Sequence, residues 1–265
     1  MGSTRTNVIL PRRRASVLGV LVDQVDRAGA ASMLRRFLRD GGRHQVVTVN
    51  IDFLKLADRD PSYRAVLNSA DLAVADGMPL VWLSRLARVP LPERVAGLDL
   101  IQDLGRIAAR EGVPVFLLGA GPGVAEAAAR ALVARHPSLC IAGTHTPPFG
   151  PRTREGDERI VAALRDAGRC VLLVAFGAPR QDVFIHQYLP DLDVPIAIGV
   201  GCAFDILAGR VARAPGWMQR AGLEWIWRLA QEPGRLWRRY LLEDLPLLAR
   251  LVTSLFRDEH AVDRR

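Results

Sequence analysis

Six short apolar runs punctuate the chain, at 44–49, 72–75, 113–118, 139–142, 170–175 and 194–199. Each is close to continuous in Val, Ile, Leu and Ala instead of alternating, the pattern of strands covered on both faces of a parallel sheet. Between them, 61–70, 98–110, 124–136, 154–167 and 181–188 repeat apolar residues at spacings of three and four, the period of amphipathic helices. A further helix is expected over 78–87. The rhythm predicts an α/β fold, a Rossmann-like, mostly parallel sheet with helices on both faces. Ahead of it, Arg12-Arg13-Arg14 and the apolar stretch 15–22 imitate a signal peptide, but Asp23 and Asp26 end the stretch at once. It reads as a basic tail entering a first strand.

The pattern changes near residue 211, which divides the chain into a catalytic core over 1–210 and an appendage over 211–265. Four of the five tryptophans (217, 225, 227, 237) lie in the appendage. Trp237, Leu241, Leu245, Leu248, Val252 and Phe256 mark an apolar helical stripe. Arg238, Arg239, Glu243, Asp244 and Arg250 interrupt it and Pro246 kinks it, so the roughly 20 apolar residues of a membrane span are missing. Such a helix lies on a membrane surface or packs on the protein's own core. Its exposed leucines also suit self-association into a homo-oligomer.

Charge sharpens this picture. The chain carries +8, and between Arg210 and Tyr240 seven arginines face two acids, Glu224 and Glu232. A concentrated basic stretch points to a polyanion: an anionic membrane surface, a phosphate-rich substrate or, as the lesser alternative, nucleic acid, which arginines among aromatics also suit. Cys140, Cys170 and Cys202 have no paired spacing, so neither a disulfide framework nor a zinc site is expected, and a reducing cytoplasm fits.

Candidate chemistry collects where the predicted strands end. Thr48 and Asn50, Asp76-Gly77, and Pro179-Arg180-Gln181-Asp182 all follow or close such runs. In an open α/β sheet the carboxyl ends of the strands converge on one cleft. Asp76 is the expected base, although an Asp before 78–87 also suits a helix cap, Thr48 and Asn50 also suit satisfied strand ends, and Gln181 an exposed helix position. Gly119-Ala120-Gly121-Pro122-Gly123 follows a strand and opens a helix, which serves equally as a phosphate cradle or a tight turn. It is no dinucleotide fingerprint, because Val124 occupies the third glycine position and no acid closes the strand ending at Gly143-Thr144-His145. Neither NAD nor any other cofactor is expected. Asp58-Arg59-Asp60 and Asp191-Leu192-Asp193 read as turns or solvated loops, and no metal is expected.

Taken together, Thr48-x-Asn50, Asp71-Leu72 with Asp76-Gly77, Arg94-Val95-x-Gly97-x-Asp99-Leu100, Phe116-x-x-Gly119, Pro179-Arg180-Gln181-Asp182, Gly199-Val200-Gly201 with Phe204-Asp205, Arg213-Ala214-Pro215-x-Trp217, Leu223-Glu224-Trp225 and Glu232-Pro233-x-Arg235-x-x-Arg238-Arg239-Tyr240 resemble the WecG/TagA/CpsF glycosyltransferases. Arg180 and Asp182 stand where that family usually has Lys and Glu, and Pro147-Pro148-Phe149 replaces its usual Gly-Tyr-Phe. The resemblance implies an inverting, metal-independent transfer from a UDP-sugar donor to a polyprenyl-diphosphate-linked acceptor, by a peripheral protein on the inner face of the plasma membrane. It implies Asp76 as base, Thr48 and Asn50 as positioning groups and Gln181 at the donor. Substrate-binding roles extend to Gly119, Gly121 and Asp205, and to Arg94, Arg228, Arg235 and Arg238, whose planar forks suit a diphosphate. The rival expectation is a peripheral membrane or nucleic-acid-binding protein with a non-catalytic nucleotide-binding core.

Overall fold

The computed structural model describes residues 12–148, 150 and 152–237. The main sheet has six parallel strands, β3 (His44–Val49), β4 (Leu72–Ala75), β5 (Val115–Gly119), β6 (Ile141–His145), β7 (Val171–Ala175) and β8 (Ile196–Gly199), in the spatial order β4-β3-β8-β7-β5-β6. Side chains of one strand divide between two cores. Val46, Leu72, Val74, Leu117, Leu173 and Ile198 face one side, whereas Val47, Val49, Ala73 and Ala75 and Leu118, Leu172, Val174 and Ala197 face the other. Both sets are apolar, which is why the strands do not alternate in sequence.

Helices α1 (Arg27–Arg39), α5 (Gly97–Glu111), α6 (Val124–Arg135) and α9 (Ala203–Leu207) cover the first face. Helices α2 (Ile51–Arg59), α3 (Pro61–Ser69) and α4 (Met78–Leu86) cover half of the second, and α7 (Arg154–Ala167) and α8 (Arg180–Tyr188) the other half. Three short helices follow the core, α10 (Gly216–Arg220), α11 (Glu224–Gln231) and α12 (Pro233–Trp237).

The stretch expected as a single first strand is instead a hairpin outside the main sheet, β1 (Arg14–Val17) and β2 (Val20–Asp23), paired antiparallel. Leu18 and Gly19 both have positive φ, 52° and 75°, the two-residue turn whose twist matches an antiparallel pair. Buried Asp23 fastens the hairpin to the sheet. It accepts from the Ala73 N–H of edge strand β4 at 2.8 Å and pairs with Arg12 at 2.6 Å and Arg14 at 3.4 Å. An otherwise open sheet edge is thereby covered. Of the two Asp-x-Asp triplets, the first spans the end of α2 and the cap of α3, where Asp60 accepts from the Ser62 and Tyr63 N–H groups at 2.9 and 3.2 Å. In the second, Asp193 pairs with Arg169 at 3.2 Å. No helix among the described residues is long and apolar enough to cross a membrane. Residues 238–265, with the apolar stripe from Leu241 onward, lie outside the described residues.

Candidate active site

Parallel strands β3 and β4 end in register, Thr48 beside Val74 and Val49 beside Ala75, so the residue after β4, Asp76, stands at the carboxyl end of the sheet. Its N–H continues the ladder to the Val49 carbonyl at 2.7 Å, and the Val95 N–H reaches the Ala75 carbonyl at 2.8 Å. That second bond brings the start of α5 over the strand end. Asp76 does not cap α4. The cap position there is Gly77, with φ at 139° and no side-chain bond, and the Asp76 carboxylate turns to α5, accepting from the Gly97 N–H. A Cβ on Gly97 would lie 3.4 Å from Asp76 Oδ2 and 3.4 Å from Thr48 Cγ2. Base candidate, Thr48 and the amino end of a 15-residue helix thus meet at one point.

The electrostatics there suit proton abstraction. Desolvation, the largest influence, and the carboxylate of Glu224 raise the pKa of Asp76, while Arg94, the Gly97 N–H and Arg228 oppose them; the result is pushed up to about 6. An ordinary carboxylate near 3.8 is a poor base at neutral pH. One near 6 is still mostly ionised there and holds a proton more firmly, which is how acid–base residues are matched to their working pH.

Two ion pairs fasten the post-core helices beside this point. Glu224, the first residue of α11, pairs with Arg94, whose side chain is 12% exposed. Arg213 forks onto both carboxylate oxygens of Asp99 in the first turn of α5, at 2.7 and 2.8 Å. Gln231 and Trp227 close the segment by bonding Ala212. Glu224 and Gly97 were missed as site residues by sequence reasoning although both lie inside motifs carrying the family resemblance. The signal was their position in those motifs, and their partners were not visible.

Other candidates also brace the fold. Gln181 is 2% exposed, not on an open helix face. Its Oε1 accepts from the Gly177 and Gly201 N–H groups at 3.1 and 3.0 Å, tying the loop after β7 to the loop after β8. Gly199 has to be glycine, since a Cβ would stand 2.5 Å from Gln181 Nε2 and 2.8 Å from Asp182 Oδ1. Beneath it, the Tyr63 hydroxyl donates to Asp182 Oδ2 at 2.8 Å. Burial pushes the Asp182 pKa up to about 7 against the bond from Tyr63, and desolvation and that carboxylate push the Tyr63 phenol up. Asn50 caps α2 through Oδ1, at 3.0 and 3.3 Å from the Asp52 and Phe53 N–H groups, and its Cβ lies 4.0 Å from where one on Gly77 would be. Thr48 Oγ1 is 3.4 Å from the Gly199 carbonyl.

The glycine loop divides in two. Gly119, with φ at 103°, packs against Ala175, whose carbonyl oxygen would be 2.8 Å from an added Cβ, so its lack of a side chain is a packing requirement. Gly121 and Gly123 lie under the Arg210 guanidinium, which bonds the Pro122 carbonyl at 3.0 Å. Sequence reasoning did not single out Arg210 for this role. Asp205 stands on α9, partly buried. Arg235 belongs to α12, and Arg238 lies outside the described residues. Among the described residues no three His, Cys, Asp or Glu side chains gather as a metal would require.

The sequence profile described as the glycosyl transferase WecG/TagA/CpsF family matches residues 15–261. An N-acetylglucosaminyldiphosphoundecaprenol N-acetyl-beta-D-mannosaminyltransferase of Bacillus spizizenii is 35% identical over 216 residues, 82% of this chain and 80% of that protein. An enzyme of the same name from Bacillus subtilis is 34% identical over 196 residues, 74% of each chain.

Proposed function

The chain belongs to the glycosyl transferase WecG/TagA/CpsF family, and from that premise we propose that it moves a UDP-linked N-acetylmannosamine-type sugar, with inversion, onto a polyprenyl-diphosphate-linked N-acetylglucosamine in cell-surface polysaccharide synthesis. The observation that carries this reading is Asp76. It is a strand-end carboxylate with a raised pKa, held by the amino end of α5 at the point where Arg94 and Arg228 bring positive charge. In the proposed reaction the Asp76 carboxylate takes the proton of the acceptor hydroxyl. The oxygen so freed attacks the anomeric carbon from the face opposite the diphosphate, and the carbon–oxygen bond to UDP breaks with its electron pair leaving on the diphosphate.

Thr48 and Asn50 line the approach to Asp76 and act by orientation. Gln181 shapes the donor pocket through the two glycine loops it ties. Gly119 and Gly121, with Arg210 above the start of α6, and Asp205 on α9 complete the donor side. Arg94, Arg228, Arg235 and Arg238 offset the charge gathering on the departing diphosphate, as guanidinium forks do.

The names of the relatives support a lipid-linked acceptor, and one surface suits its membrane. Among the described residues, every exposed large hydrophobic side chain except Val183 sits on α4 (Trp82, Leu86) or on α10–α12 (Trp217, Trp225, Ile226, Trp237). Gly222 seats the turn between α10 and α11 on Met78 and Trp82, so these elements adjoin. With Arg85 and Arg88 exposed nearby, the face suits an anionic bilayer at the inner side of the plasma membrane.

The test is acceptor-dependent UDP release from a panel of UDP-sugars, with a short-chain polyprenyl-diphosphate N-acetylglucosamine as acceptor. The reading expects release with the N-acetylmannosamine donor and none without acceptor. No release with any donor, despite UDP binding, would favour a nucleotide-binding protein without transferase activity.

A further inference from the structure

Glu224 lies in a motif that the proposed reaction leaves without a task, yet it ties α11 to the core by pairing with Arg94. The Val95 N–H bonds the Ala75 carbonyl at 2.8 Å, so the loop entering α5 sets Arg94, the residue before it, beside Asp76, the residue after the strand, where its charge is felt by the carboxylate. An unpaired guanidinium in that place favours the ionised carboxylate and weakens it as a base, since an opposite charge within a few ångström lowers a carboxylate's proton affinity by roughly one to three pH units. Glu224 occupies Arg94 and supplies a negative charge of its own. We infer that Glu224 is a positioning residue acting on Asp76 through Arg94: it occupies the guanidinium and keeps it from quenching the base.

The inference rests on Asp76 being the base of the proposed transfer. The charged groups facing Asp76 are Arg94 from the loop before α5 and Glu224 and Arg228 from α11, with the Gly97 N–H at the helix start. Glu224 thus sets a carboxylate beside the arginines proposed for the departing diphosphate, with the opposite electrostatic task.

Two readouts on the full-length protein test this. One is the acid limb of the pH profile of kcat/KM for UDP release, and the other is the carbon-13 titration of the Asp76 carboxyl without substrates. In Glu224→Gln both midpoints are expected to move to lower pH, by roughly one unit, with an unchanged circular dichroism spectrum. Glu224→Asp, which keeps the charge, is expected to return them close to wild type. If Glu224→Gln is too unstable to titrate, Glu224→Ser replaces it under the same expectation. A fall in rate with both midpoints unmoved would overturn the inference, leaving Glu224 a merely structural tie. Absence of UDP release from the wild type would count against the transferase reading alone, since the carboxyl titration still reports the coupling.

Discussion

The Asp76 carboxylate and Gly97 approach so closely that a methyl group on Gly97 would touch Asp76 Oδ2 at 3.4 Å while touching Thr48 Cγ2 at the same distance. Gly97 is buried in the first turn of α5 without positive φ, so its backbone accepts any residue. Gly97→Ala is therefore expected to leave the melting temperature unchanged or slightly raised, because alanine restricts the unfolded chain. At 3.4 Å the added carbon is in ordinary van der Waals contact with base and positioning residue, so kcat for UDP release is expected to stay within a few-fold of wild type, whereas Gly97→Val, whose γ-carbons reach past that contact, is expected to lower it at least tenfold. Thermal melts and initial rates on one preparation check both halves.

Tyr63 and Asp182 form a buried polar pair under the site. Tyr63→Phe leaves the Asp182 carboxyl with a lost partner in a dry place, and urea unfolding is expected to show a loss of about 1–3 kcal/mol.

The same pair leaves a signature in pH. The Asp182 pKa is about 7 in the folded chain against an ordinary 3.8, so between these values the folded state binds more protons than the unfolded one, and stability falls as pH rises. The window runs from about pH 4 to about pH 7, and above it the penalty is constant. Asp182→Asn removes the titrating group. Its stability is expected to decline less across that window than wild type, measured by chemical unfolding at pH 5 and pH 7.

The Arg213–Asp99 fork anchors the segment that leads to α10 and α11, with side chains 27% and 20% exposed. Pairs this open contribute about 0–1 kcal/mol to global stability. Arg213→Gln is expected to shift the melting temperature by at most a few degrees, while limited proteolysis near residues 211–216 accelerates severalfold as the segment loosens. Vesicle co-sedimentation tests the adjoining apolar face. The double variant Trp82→Ser, Leu86→Ser is expected to lose most binding to anionic vesicles while keeping UDP affinity.

Much of the core could be read directly from the residues. The strands at 44–49 and 72–75 stand where the apolar runs placed them, and the ends of the predicted helices shift by at most one residue. Of the helices that went unread, two were hidden for opposite reasons. In α1 the buried Ala30, Leu34, Phe37 and Leu38 are diluted by arginines, whereas α2 starts directly after β3, so its Ile51, Phe53 and Leu54 merge with the strand's apolar run and only Asn50 marks the boundary. The hairpin was concealed because 15–22 is apolar apart from Ser16, and only Gly19 signals the turn.

At the site, Asp76 was legible because a strand end determines where it lies. Glu224 and Arg94 are 130 positions apart, and Tyr63 and Asp182 are 119 apart. Pairings of that kind depend on the packed fold and leave no local pattern. Gln181 illustrates the cost, since a polar residue at the start of a helix reads as exposed until the glycines that enclose it are in place.

The most direct measurement is UDP release by Asp76→Asn beside wild type, at saturating donor and acceptor, with UDP affinity measured on both. Asparagine keeps the shape and loses the base. A fall in kcat of roughly 100- to 10,000-fold with UDP affinity nearly unchanged is the predicted result, and turnover within a few-fold of wild type would contradict the assignment of Asp76 as the catalytic base.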